Sequence, residues 1–198
     1  MPGDLGRLTV SPKRGDERFK SEGTALDYSL LDFWRWSVSD LLSNATRGRL
    51  AEFIVAKALG VPADSVRDEW AAYDLASPEG VKIEVKSASY VQSWHQRTLS
   101  SIRFLTRKTK AWDPDTNTVS RESKRQADVY VLALLAHEDK ATIDPLDLSQ
   151  WCFFVVPATV LDICGPSQHS ITLKTLDRLG ICPVTYSHLR HSVLQASR

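Results

Sequence analysis

The sequence predicts an α/β fold around a mixed β-sheet, with an N-terminal helical extension. Three observations support this fold class: an apolar helical pattern comes first, a hairpin pattern follows, and strands mixed with helices complete the chain. The 198 residues suit one domain, which we place at residues 27–198. Residues 1–26 are polar, lack a periodic apolar pattern and are predicted to form a flexible arm.

Two helices are predicted before the hairpin. Apolar residues at three- and four-residue spacings form one stripe over residues 30–42. A second helix is predicted over residues 49–59, with Ser43, Asn44 and Thr46 as candidate N-caps and Gly60 at its end. This helix is apolar almost all round and should be buried, yet it carries Glu52. A carboxylate in such a run suggests a function.

A β-hairpin is predicted next, with strands at residues 69–75 and 81–87 joined by a short turn. Apolar and charged residues alternate along the second strand, which places Glu84 and Lys86 on one face. The short turn brings Asp74, near the end of the first strand, beside the second. We therefore expect Asp74 and Glu84 to lie within reach of one cation.

The rest of the chain is predicted to complete the sheet. Residues 89–125 are irregular and polar apart from a possible strand at 102–106. The apolar run at 127–136 is typical of a central strand that is covered on both faces. The remaining predictions are a strand at 151–156, a short helix to about 163, an edge strand at 170–173 and a helix at 183–195.

Asp74, Glu84 and Lys86 are the residue types that metal-dependent phosphodiester hydrolysis needs. Two carboxylates and a nearby backbone carbonyl are the hard oxygen ligands that Mg²⁺ prefers. A lysine on the same face can orient and deprotonate the attacking water, or stabilise charge in the transition state. The alternative is an exposed, salt-bridged hairpin, with Glu52 paired to Arg49 on the helix surface.

The pattern resembles the PD-(D/E)xK nuclease superfamily: Asp74, nine residues, then Glu84-Val85-Lys86, with the helical Glu52 ahead of them. The resemblance covers about residues 47–136 and implies a restriction-endonuclease-like α-β-β-β-α-β core. It implies Mg²⁺, for which Mn²⁺ can substitute, held by Asp74, Glu84 and the Val85 carbonyl. It further implies that Glu52 supports the metal or the water, that Lys86 is catalytic, and that DNA is the substrate rather than RNA.

Some residues are left outside this pattern. Tyr73 stands where many members of the superfamily have proline, and the Gln-x-x-x-Tyr motif of one branch is absent, so that branch is not assigned. His95 and Gln96 are unplaced candidates for the edge of the site. Asp128 fits a strand-end cap or a partner of Arg125 as well as it fits the site.

The net charge of +1 argues against a nucleic-acid partner only when it is averaged over the whole chain. Residues 97–125 hold eight basic against three acidic residues, which gives +5 and leaves −4 for the other residues. We expect this segment to contact phosphates, the alternative being a solvated surface. The predicted contacts are Arg97, Arg103, Arg107, Lys108, Lys110, Lys124 and Arg125.

Composition limits the other possibilities. Three widely spaced cysteines without a CxxC pair disfavour a zinc site. No apolar run is long enough to cross a membrane, so a cytoplasmic protein is expected. The predicted function is a Mg²⁺-dependent DNA endonuclease, and the alternative is a catalytically inactive DNA-binding or assembly module. A homodimer would let two sites cut two strands.

Overall fold

The structure, a computed structural model, describes residues 5–62, 64–164 and 169–198. Its strands are β1 (Arg18–Ser21), β2 (Thr24–Ser29), β3 (Leu75–Ala76), β4 (Lys82–Ser89), β5 (Arg103–Leu105), β6 (Thr109–Asp113), β7 (Thr118–Lys124), β8 (Val129–Leu135), β9 (Trp151–Pro157) and β10 (Ser170–Thr172). Its α-helices are α1 (Leu30–Val38), α2 (Asn44–Leu59), α3 (Ala158–Cys164), α4 (Leu173–Arg178) and α5 (Tyr186–Ala196). A 3₁₀ turn at Leu148–Gln150 precedes β9. The predicted α/β class is confirmed.

One four-stranded mixed sheet organises the core, in the order β3-β4-β8-β9. Strand β4 runs antiparallel to β3 and parallel to β8, and β9 returns antiparallel to β8. Every residue of β8 is buried, which confirms the prediction of a central strand covered on both faces. The mixed sheet was also predicted correctly.

Helix α2 lies on one face of the sheet and places the N-terminal half of the site. Its Val55 and Leu59 pack with Ile83 of β4, and α5 joins the same cluster. Burial of such side chains stabilises a fold by about 1.5–3 kcal/mol each. Helix α2 begins earlier than predicted because the Ser43 hydroxyl accepts a hydrogen bond from the Thr46 N–H and caps it. Gly60, at φ +77°, ends the helix as predicted.

The first strand of the predicted hairpin is shorter than expected. Residues 69–74 form turns and bends, and β3 contains only two residues. This stretch carries Ala71 and Ala72, which have low strand propensity, and its Glu69 side chain is drawn to Arg67. The Asp74 N–H still donates to the Ile83 carbonyl at 3.1 Å, so Asp74 stays beside β4 as predicted.

The connection between the parallel strands β4 and β8 holds three strands and no helix, and the structure describes all of it. Strand β5 pairs with β10, whereas β6 and β7 form an antiparallel hairpin. The hairpin was not predicted, because most of its residues are exposed and show no apolar alternation. The α-β-β-β-α-β order implied by the resemblance stays a prediction.

Strands β1 and β2 form a hairpin that spans the predicted boundary at residue 26. Helix α1 follows it and supplies the expected helical extension, but it ends at Val38 and has no buried residue. The division into an arm and one domain stays a prediction. Among the described residues, no helix combines the length and apolarity that a membrane crossing requires.

Candidate active site

Lys86 connects the two carboxylates of the hairpin. Its Nζ lies 2.5 Å from Glu84 Oε1 and 3.8 Å from Asp74 Oδ2. The Val85 N–H donates to Asp74 Oδ2 at 2.8 Å, which fixes the Asp74 side chain against β4. The structure therefore brings together the three hairpin residues selected from the sequence. Their chemical roles are still predictions.

Arg67 joins Glu52 to this group, and the sequence interpretation missed it. Its guanidinium makes a two-pronged contact with Glu52, in which Nη2 lies 3.2 Å from Oε1. It also pairs with Glu69, and its Nη2 lies 3.9 Å from Asp74 Oδ1. Arg67 belongs to the irregular segment before β3, where no periodic pattern marks it, so only the folded loop reveals this role.

Two residues on the hairpin side of the site, Glu84 and Tyr130, have raised pKa values. Burial raises the pKa of Glu84, the nearby charge of Asp74 raises it further, and Lys86 opposes both effects. Tyr130 is the register partner of Glu84 on β8. Its pKa is also raised, first by burial and then by the charge of Glu84. Both pKa shifts are due first to burial, and neighbouring carboxylates add to them.

The donor chemistry of the site fits a divalent cation. The linked carboxylates are Glu52, Glu69, Asp74 and Glu84. Only Arg67 and Lys86 oppose them within this network, so two negative charges are uncompensated when all four are ionised. Hard carboxylate oxygens are the ligands that Mg²⁺ prefers. Across the described ranges, however, no three His, Cys, Asp or Glu side chains are arranged to hold a metal ion. Ligation therefore requires these carboxylates to turn away from their present partners.

A cleft of about 430 Å³ opens beside Asp74 and Glu84. Residues 69–74 form one wall, and residues 109–112 of strand β6 form the other. Trp70 and Trp112 meet across it edge to face, with ring centroids 5.2 Å apart. Lys110 lines the same cleft. The two carboxylates are thus accessible from a cleft with both aromatic and basic walls.

Most of the predicted phosphate contacts are exposed. These are Arg97, Arg103, Arg107, Lys108, Lys110 and Lys124. The prediction that Arg125 contacts phosphate must be corrected. Its side chain is buried, pairs with Asp162, and donates through Nε to the Thr106 carbonyl at 3.0 Å. A phosphate cannot reach this interior position, so we remove Arg125 from the predicted contacts. Lys108 Nζ also lies 3.2 Å from Asp162 Oδ1.

The structure shows where Asp128, Gln96 and His95 lie, the three residues that the sequence left unplaced. Asp128 Oδ2 accepts a hydrogen bond from the Lys82 N–H at 2.9 Å, as a strand-end cap would. The Gln96 amide donates to the Tyr90 carbonyl at 3.1 Å and bonds within its own loop. His95 is exposed. None of these observations joins the three residues to the carboxylates of the site.

A family model described as bacteriophage T4 endonuclease IV matches residues 8–162 of the chain. The match includes Glu52, Arg67, Asp74, Glu84 and Lys86. No curated protein matches the chain. The match supports the predicted nuclease; membership of the PD-(D/E)xK superfamily stays a prediction.

Proposed function

Because the chain belongs to the bacteriophage T4 endonuclease IV family, we propose that it is a metal-dependent endonuclease that hydrolyses DNA phosphodiester bonds. The observation that carries the proposal is the contact of Lys86 with both Asp74 and Glu84 beside an open cleft. Phosphodiester hydrolysis joins two electron-rich partners, so it needs cationic groups held at a fixed place. In this cluster the cationic group is Lys86, which two carboxylates hold in contact.

We assign roles residue by residue. Asp74, Glu84 and the Val85 carbonyl would hold Mg²⁺ or Mn²⁺, with Glu52 as a supporting carboxylate. A bound divalent ion supplies charge neutralisation at the phosphate and acidifies water. The Lys86 ammonium would bind a phosphate oxygen and stabilise the negative charge that develops in the transition state. Val85 N–H and Lys86 hold Asp74 in place for this purpose.

We further propose that the fold is a variant of the PD-(D/E)xK core. The helix that carries Glu52 packs on the strand that carries Glu84 and Lys86, and Asp74 sits beside that strand, as the motif requires. In this variant the segment between β4 and β8 contributes a hairpin to the cleft in place of a helix.

DNA would enter along the cleft between residues 69–74 and β6. Exposed basic side chains on the same segment of chain supply phosphate contacts that do not depend on base sequence. Lys110 is the one that lines the cleft itself. A homodimer would set two such sites on opposite strands.

The test is a cleavage assay with duplex DNA, single-stranded DNA, branched DNA and RNA, each with Mg²⁺, Mn²⁺ or a chelator. We expect cleavage of at least one DNA substrate with Mg²⁺ or Mn²⁺, and none with the chelator. Cleavage of RNA alone would contradict the substrate assignment. If DNA and RNA both stayed intact under every condition, nuclease activity itself would be contradicted.

The second candidate is a DNA-binding or assembly module without catalysis. The presence of all four motif residues disfavours it. The closed contacts of these carboxylates with Arg67 and Lys86 are the observation in its favour. Calorimetry separates the two: a module would bind DNA but neither Mg²⁺ nor Mn²⁺, even with DNA present.

A further inference from the structure

We infer that Arg67 is a resident counter-cation that a divalent ion must displace from Glu52 and Asp74 to enter the site. The inference rests on the proposed metal-dependent function. It assigns a role to a residue outside the Asp-Glu-x-Lys pattern. Arg67 would set the concentration of metal that the site needs.

The contacts of Arg67 place it where a metal would have to compete. It contacts both oxygens of Glu52, and its Nη2 lies 3.9 Å from Asp74 Oδ1. The Glu52 and Asp74 side chains are only 12% and 16% exposed, whereas Glu69 is 60% exposed. Two of the three carboxylates around Arg67 are therefore largely buried, although Asp74 borders the cleft, and their interaction with its guanidinium is less screened than that of a surface pair.

Arg67 and a metal ion compete for the same carboxylates. Mg²⁺ binds carboxylate oxygen at about 2.0–2.1 Å with strict geometry, and a guanidinium held on the same oxygens would lie close enough to repel it. An arginine does not lose its proton at ordinary pH, so it can be released only by movement. Glu69 offers the guanidinium a partner outside the shielded pair, which allows Arg67 to move without losing every contact.

The charges of the cluster explain why such a residue is needed. If Arg67 were removed, Lys86 would be the nearest opposing charge left in the network for the carboxylates of Glu52, Glu69 and Asp74. Repulsion among them would weaken the metal-free fold and strengthen the attraction for a divalent ion. Removal of Arg67 should therefore lower stability without metal and raise metal affinity. A residue that merely held the carboxylates in place would instead lower metal affinity when removed.

The experiment is a calorimetric titration of Mn²⁺ into the full chain without nucleic acid, for wild type, Arg67→Ala, Arg67→Gln and Arg67→Lys. We expect a Kd about tenfold lower for the two neutral variants. Arg67→Lys keeps the charge and should stay near wild type. Arg7→Ala is the matched control, because Arg7 pairs with Asp68 and Asp115 rather than with the carboxylates of the site.

Thermal unfolding provides a second readout. With a chelator, Arg67→Gln should melt below wild type, and saturating Mn²⁺ should raise its Tm by more than it raises that of wild type. Equal or weaker Mn²⁺ binding by both neutral variants, while wild type binds the ion, overturns the inference and leaves the proposed function intact. No Mn²⁺ binding by any of the proteins overturns the inference, and if it persists with duplex DNA present it overturns the proposed function as well.

Discussion

Lys86 is the residue on which the proposed chemistry depends most. Its ammonium group contacts Glu84 and lies close to Asp74. In the proposed reaction this ammonium binds a phosphate oxygen and stabilises the negative charge of the transition state. That role would place Lys86 in the reaction rather than in the fold.

Replacement of Lys86 by Ala should abolish most cleavage and preserve DNA binding. We expect a loss of about 10²–10⁴-fold in the single-turnover rate, the usual contribution of one positioned catalytic group. Lys82→Ala is the matched control, since Lys82 lies on the same face of β4 and packs over the Tyr73 ring instead. Equal rates for wild type and Lys86→Ala, with protein free of contaminating nuclease, would contradict the role of Lys86.

Replacement of Glu84 by Gln should stabilise the metal-free protein near neutral pH by a few degrees in Tm. Burial and Asp74 raise the pKa of Glu84 above its ordinary 4.5. Stability from protonated Glu84 is therefore full below pH 4.5 and is lost as the pH rises through the raised pKa. Melting curves with a chelator at several pH values measure this. A Glu84→Gln protein less stable than wild type at neutral pH would show that the contact with Lys86 outweighs burial.

The sequence predicted the residues that share a local pattern and missed those placed by the fold. Asp74, Glu84 and Lys86 follow from strand alternation and a short turn, both of which are local. Arg67 depends on the path of an irregular loop, which no periodicity encodes. Arg125 looked like the other basic residues of its segment, because a charge pattern contains no information about depth.

The hairpin of β6 and β7 supplies the second wall of the cleft beside the acidic cluster. It places Lys110 and Trp112 opposite residues 69–74. Arg121 is exposed on β7 of the same hairpin but does not line the cleft. Lys110 and Arg121 therefore carry the same charge on the same hairpin, but Lys110 lines the cleft and Arg121 does not.

Lys110→Ala should weaken DNA binding and reduce the salt dependence of binding, whereas Arg121→Ala should do neither. Loss of one phosphate contact lowers the magnitude of the log–log slope of affinity against salt by about 1. Fluorescence anisotropy with a labelled oligonucleotide at several salt concentrations measures both quantities. Equal slopes for the two variants would mean that DNA does not pass along the cleft wall.

At the level of elements, burial decided which sequence predictions succeeded. Strand β8 is buried on both faces and was evident as an apolar run. Helix α2 was recognised by its apolar composition, although its start was placed too late because Ser43 caps it further upstream. Strands β6 and β7 are largely exposed, so no hydrophobic alternation marks them. The first predicted strand of the hairpin is mostly replaced by turns and bends over residues 69–74, which leaves β3 short.

In the whole molecule, near-neutral charge results from two opposed regions. The acidic cluster lies on one side of the cleft, Lys110 of the exposed basic segment lines the other, and the family match extends over both. A phosphodiesterase needs both signs, because carboxylates hold a cation and basic residues hold the phosphates. Electrostatic binding to DNA therefore depends on local charge rather than on the net charge of +1.

The most direct test of the account is the single-turnover rate of DNA cleavage as Mg²⁺ is titrated, for wild type, Asp74→Asn and Asp177→Asn. Asp74 joins Lys86, Val85 and Arg67, whereas Asp177 is exposed on α4 and serves as the control. We predict that the rate rises with Mg²⁺ to a plateau in wild type and in Asp177→Asn, and that it falls by about 10²-fold or more in Asp74→Asn. Cleavage by wild type that is independent of Mg²⁺, or a full rate in Asp74→Asn, would contradict the account.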